Sequence, residues 1–231
     1  MVEIAGSIPV GPIKSFNLEV TNHTMHLDLK FFPNTKDNTH CVQAVLMSIF
    51  KKVYPEKNFS YKQLDVITGK KSDKFTSMPS VMLGLESMGL TVKMISNIDY
   101  AEFVKDGYSY WRKNHSKMVA DKQIETSDIK TEMDSAKGIL GTEILVKKKL
   151  TLRDLEELFK KWFIITHLNP YVFRKKKKYS GHAVVITGMS KNFIWFHDPG
   201  LPAKANRKVS KKVFMKAFNY DDICEAYLIK K

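Results

Sequence analysis

Two apolar runs in the C-terminal third, HAVVITGM and FIWFHD, are separated only by the turn residues SKN. Runs of that length joined by so short a turn read as an antiparallel hairpin, His182–Gly188 with Phe193–Asp198. The sheet it begins must be extended and covered by the rest of the chain. FIITHLN before the hairpin and CEAYLIKK after it are further strands, while TLRDLEELFKKW and VSKKVFMKAFN read as helices. Thr151 caps the first of these, with Asp154 as the capping-box acid. Upstream the period changes. Val42, Val45, Leu46, Ile49, Phe50 and Val53 recur at helical spacing, with Asn38 or Thr39 placed to cap the helix and Pro55 to stop it. Shorter helices follow over Tyr61–Ile67 and Pro79–Met88, ending at Gly69 and Gly89, and TVKMI is a strand. Met25, Leu27, Leu29 and Phe31 alternate as a strand that Pro33 ends. Helices come first and antiparallel strands later, which predicts an α+β fold, a helical half packed on a sheet.

Residues 97–146 interrupt this order with two amphipathic, charged stretches, Tyr100–His115 and Ile124–Lys137. They read as a helical insertion within one domain spanning 1–231, which also carries an N-terminal strand extension, 1–32. A hydrophobic share of 43% is enough for a buried core and excludes a disordered chain. The first twenty residues lack a basic start followed by an apolar run, and no apolar window is long enough to span a membrane. Two cysteines build neither a disulfide framework nor a thiolate zinc site, so the chain reads as cytoplasmic. Without paired ligand spacing or a Gly-rich phosphate loop, no metal and no cofactor is expected. The net charge of +14 is uneven: residues 1–140 hold 18 basic and 16 acidic side chains, residues 141–231 hold 20 and 8. No recognition helix, finger or aromatic ribonucleoprotein strand accompanies that excess, so nucleic acid is not the favoured partner.

Cys41 opens its helix, where backbone amides and the helix dipole favour a thiolate. His182 opens one hairpin strand and Asp198 closes the other, which sets the two opposite each other across the ladder. A carboxylate that orients an imidazole, with a thiol in front of it, is the arrangement a cysteine nucleophile requires. His197 alternates with Asp198 and faces the other side of the sheet. His40 reads as a solvated or substrate-facing neighbour, and Cys224 as a buried, inert thiol.

The segments FFPNTKDNTHCVQAVLMSIF and YSGHAVVITGMSKNFIWFHDPG resemble the two signature blocks of the peptidase C39-like family of papain-like cysteine peptidases. The resemblance covers about 34–95 and 150–225. It implies Cys41 as nucleophile, His182 as general base and acid, and Asp198 as the orienting carboxylate, in a cleft between helices and sheet. The family's glutamine ahead of the cysteine, an oxyanion donor, is absent, and Asn34 or Asn38 stands in its region. Val42 replaces the glycine that usually follows the cysteine. The expected activity is hydrolysis of a peptide or amide bond through an acyl-thioester. An acyltransferase on the same site, or a weakened binding module for acidic peptide or nucleic acid, is the alternative. The run Arg174–Lys178 leads into His182, so Lys175, Lys176, Lys177 and Lys178 are expected to border the cleft and favour acidic peptide substrates.

Overall fold

The sheet is built around strand β6, which carries strands on both of its edges. The computed structural model describes residue 16, residues 18–21 and residues 24–231. The expectation of no targeting segment falls mostly on residues 1–15 and 17, outside the described residues. The strands are β1 (Glu19–Thr21), β2 (Thr24–His26), β3 (Thr91–Ser96), β4 (Leu145–Lys147), β5 (Phe163–Leu168), β6 (His182–Met189), β7 (Phe193–Asp198), β8 (Lys204–Ser210) and β9 (Glu225–Lys230). Their order is β1-β2-β6-β5-β9-β3-β4, with β7 pairing β6 and β8 pairing β7. One edge of β6 takes β5 along its first half and β2 at its far end, and the other edge takes β7. Every pairing is antiparallel except β3 with β4.

Helix α1 (Cys41–Val53) packs on β6 and buries Val42, Val45, Leu46, Ile49, Phe50 and Val53, the face that its periodicity predicts. Each such side chain contributes about 1.5–3 kcal/mol when fully buried, so this face is what seats Cys41 against the sheet. Gln43 shares the buried face, and its amide donates to Thr68 (2.9 Å) and Thr76 (3.2 Å). That ties α1 to the end of α2 (Tyr61–Thr68) and to the segment before α3 (Met78–Ser87).

Residues 97–146, expected as a helical insertion with two amphipathic stretches, form four short helices: α4 (Tyr100–Asp106), α5 (Tyr108–Asn114), α6 (Lys117–Thr126) and α7 (Ile129–Ile139). Gly107, at φ 54°, separates the first pair, and Asp128 caps the last by accepting from the Thr131 amide. Helix α7 lies against α3, where the Ser80 and Ser135 hydroxyls meet at 2.6 Å. Helix α8 (Leu152–Phe159) carries the predicted Thr151–Asp154 capping box, and α9 (Lys211–Phe218) follows β8. The α+β class and the helical half on an antiparallel sheet are as the sequence implied. Of the strand expected between Met25 and Phe31, only Met25 and His26 lie in a strand, since β2 ends at His26. Leu27 and Leu29 are nevertheless buried in extended chain. Among the described residues no helix is long and apolar enough to cross a membrane.

Candidate active site

Cys41 is the first residue of α1, half-buried, and its thiol shares the cleft with the His182 imidazole, which acts on its charge. Neither Asn38 nor Thr39 caps this helix. Asn38 turns into the left-handed region at φ 59°, and the Thr39 hydroxyl is spent on His40 Nδ1 (3.0 Å). His40 takes the cap position with no side-chain bond to the first turn. The Cys41 amide thus keeps no side-chain partner from the cap residue, as an oxyanion site requires.

His182 and Asp198 meet as expected, though not through the expected register. The turn closes from Ser190 to Phe193, and a bulge between Ile186 and Gly188 then takes up one residue, so Val185 pairs with His197 as the last pair of the ladder. Asp198 therefore lies diagonal to His182, still on its face of the sheet, and Oδ1 is 2.7 Å from Nε2. That leaves Nδ1 for the thiol. The other carboxylate oxygen accepts from Arg207 Nε at 2.7 Å, and the Gly200 amide adds a third bond to Oδ1 (3.2 Å). A Cβ on Gly200 would stand 2.8 Å from His182 Cε1, so only glycine lets the imidazole lie there.

These contacts set the charges. Burial works against a thiolate at Cys41, but the His182 bond and charge, with the Ala183 and Val42 amides, overcome it and hold the thiol below its usual range. Burial likewise opposes charge on His182, yet Asp198 and Cys41 raise it to about 9. Asp198 would be raised by burial, and is instead lowered by His182 and Arg207. All three shifts favour a thiolate–imidazolium pair backed by a carboxylate.

The remaining candidates separate into those in the cleft and those outside it. Asn38 lines the cleft of about 150 Å³ with Cys41, His182, Asp198, Arg174 and Arg207. Its Oδ1 accepts from the Leu201 amide (3.2 Å) and from Asn34 (3.1 Å). Asn34 is buried and shapes the loop: its Oδ1 accepts from the amides of His40 (2.8 Å) and Thr35 (2.9 Å). His40 is not solvated, since Asp65 holds Nε2 at 3.3 Å. His197 faces the opposite side, bonded to the Leu29 carbonyl at 2.8 Å. Lys175, Lys176, Lys177 and Lys178 do not line the cleft. A 3-10 turn over Pro170–Val172 closes with Lys175 at φ 53°, and the four side chains lie exposed to solvent. Of the basic run only Arg174 lines the cleft, and its guanidinium donates to the Leu201 carbonyl at 3.0 Å. Cys224 is buried and free, and burial raises its thiol.

Arg207 and Gly200 carry no signal that sequence reading recognised. Strand β8, KANRKVS, is polar and mostly exposed, so it lacks the alternation that marks a strand. The DPG tripeptide reads as a simple chain break.

No family model matches the chain, and no curated protein does. Among solved structures it is similar to the peptidase domain of Streptococcus ComA, a bi-functional ABC transporter involved in a quorum sensing pathway. That likeness has a TM-score of 0.47 at 16% identity, over 87% of this chain and 97% of the other. It is also similar to a double glycine motif protease from an AMS/PCAT transporter, solved with the leader peptide. There the TM-score is 0.48 at 15% identity, over 93% of this chain and 98% of the other.

Proposed function

We propose that the chain is a cysteine hydrolase that cleaves a peptide or amide bond through an acyl-thioester. The observation that carries this is the continuous relay from Cys41 through His182 to Asp198, with charge shifts that favour a thiolate–imidazolium pair. The Cys41 thiolate attacks the carbonyl carbon, and the oxyanion takes a hydrogen bond from the Cys41 amide and one from the Asn38 side-chain amide. Asn38 is preferred to Asn34 because it lines the cleft while the Asn34 amide is spent within the loop. His182 gives its Nδ1 proton to the leaving nitrogen as the C–N bond breaks. Water then attacks the thioester, returns a proton to Nδ1 and releases the acid and the thiolate. Asp198 holds the ring by Nε2 throughout, and Arg207 holds Asp198.

The test is a mixture of peptides of defined sequence incubated with the protein and read by mass spectrometry. Cleavage is expected with an acyl adduct trapped on Cys41. It should vanish in Cys41→Ala and fall by about 10³-fold or more in His182→Ala. Cleavage that survives Cys41→Ala would place the chemistry elsewhere.

A further inference from the structure

Cys41 stands between two spaces. One is the cleft already described. The other, about 60 Å³, shares Thr39, Cys41, Phe75 and Gly181 with it and is walled partly by the insertion. Two carboxylates line it, Glu132 from α7 and Glu225 from β9, among Tyr100, Trp111 and Tyr227.

Glu225 is 6% exposed and fully partnered: Ser96 (2.9 Å) and Tyr100 (3.0 Å) donate to one oxygen and Tyr227 (2.8 Å) to the other. Glu132 is different. Its Oε2 is fully buried and has no hydrogen-bond partner. Trp111 is 3% exposed, and its buried Nε1–H has none either. Buried groups of this kind are rarely left open unless something outside the chain fills them. The chain holds 38 Lys and Arg, yet among the described residues none lines this cavity. Burial first, and the Glu225 charge second, push the Glu132 carboxyl up to about 8, the mark of an acid held without a counter-charge. The titratable groups around it are Glu225, Asp128, Tyr100 and Tyr227, with His167 beside Glu225 at 3.7 Å.

We infer that this cavity is a subsite for an ammonium group that the substrate carries beside the bond Cys41 attacks, either a lysine side chain or a free α-amine. The inference rests on Cys41 being the nucleophile. An ammonium entering this low-dielectric space displaces the proton that burial keeps on Glu132, and that carboxylate then faces the cation together with Glu225, whose charge His167 at the same cavity partly offsets. The three aromatic residues are walls that tolerate a cation. Trp111 Nε1–H meets a carbonyl oxygen of the same substrate. The space suits an ammonium with its last methylenes, since about 60 Å³ is room for several waters. Selection here is for positive charge, the reverse of the acidic preference that the lysine run suggests.

Chloromethyl ketones test it, because the Cys41 thiolate displaces chloride from their methylene without any turnover. Acetyl-lysyl, acetyl-norleucyl and free-amine norleucyl reagents are compared, each rate divided by the same protein's rate with iodoacetamide. One of the two ammonium reagents should exceed acetyl-norleucyl by at least about tenfold, and which one does identifies the source. In Glu132→Gln, which keeps the shape, the ratio should fall to within about twofold of one. Equal rates for all three reagents, or a preference untouched by Glu132→Gln, would overturn the subsite. A parallel arm needs no nucleophile: butylammonium should raise the melting temperature of the wild type more than that of Glu132→Gln, while n-butanol separates neither. If Cys41 proves unreactive but this difference stands, the hydrolase reading fails and the ammonium site remains. If Cys41 is reactive and the difference is absent, the reverse holds.

Discussion

Arg207 donates through Nε to Oδ2 of Asp198 at 2.7 Å, on the carboxylate oxygen that His182 does not use. His182 first, and the guanidinium after it, keep Asp198 ionised in a buried position, and the ionised Asp198 raises His182. Hydrogen bonds to a charged group contribute about 1.5–3 kcal/mol. Arg207→Ala should therefore lower kcat about tenfold or more and weaken the fold measurably, with Arg207→Lys restoring only part of the rate. Kinetics with a thermal melt of each variant checks it. An Arg207→Ala enzyme with wild-type kcat would reduce the pair to a surface contact.

Gly200 allows no side chain, because the added carbon would meet His182 Cε1 at 2.8 Å. The backbone there is not in the left-handed region, so the demand is for space and not for conformation. Gly200→Ala should leave the circular dichroism spectrum unchanged while kcat drops about 10²-fold, the scale expected for a misplacement of about 1 Å. An active Gly200→Ala protein would mean that the ring has room the structure does not give it.

Asn34 and Asn38 should fail in different ways. Asn34→Ala strips the acceptor from two loop amides, which costs about 1–3 kcal/mol and shows as a lower melting temperature. Asn38→Gly keeps the left-handed backbone but removes the acceptor of the Leu201 amide and of Asn34, bonds at an exposed residue, so it should destabilise less than Asn34→Ala. Its kcat should fall about 10²–10³-fold with KM nearly constant. The opposite assignment of the two phenotypes would make Asn34 the oxyanion donor.

Glu132 gives the fold a pH dependence of known sign. Its folded carboxyl sits at about 8 against an ordinary 4.5. Between those values the native state holds a proton that the unfolded chain has lost, so the stabilisation from this group is full below pH 4.5 and falls away up to pH 8. Melting temperature across that window should decline in the wild type and decline less in Glu132→Gln. Identical slopes would assign the decline to other groups.

Much of this site is legible in the sequence because it stands on elements with strong apolar periodicity. The buried face of α1 fixes where Cys41 begins its helix, and the β6–β7 hairpin brings His182 to Asp198 even though a bulge shifts the register. What escapes is carried by residues with no pattern of their own. Arg207 lies on β8, which pairs only with β7 among the described strands and keeps most of its side chains in water, so nothing forces alternation. Strand β4 is three residues held parallel to β3. The ammonium cavity draws Glu132, Trp111 and Tyr100 from the insertion and Glu225 and Tyr227 from the last strand. No spacing rule links positions so far apart.

Whether His182 holds Cys41 as a thiolate is read from the pH profile of Cys41 alkylation by iodoacetamide. Cys224 is buried with a raised thiol, so peptide mapping assigns the label to Cys41 without interference. The wild-type rate should climb from pH 6 to pH 8 much less steeply than that of an ordinary thiol. In His182→Ala only the Ala183 and Val42 amides oppose burial of the thiol, so the rate at pH 6 should be at least about tenfold slower and climb steeply with pH. Wild type and His182→Ala following one steep curve, that of an ordinary thiol, would contradict a thiolate held by His182.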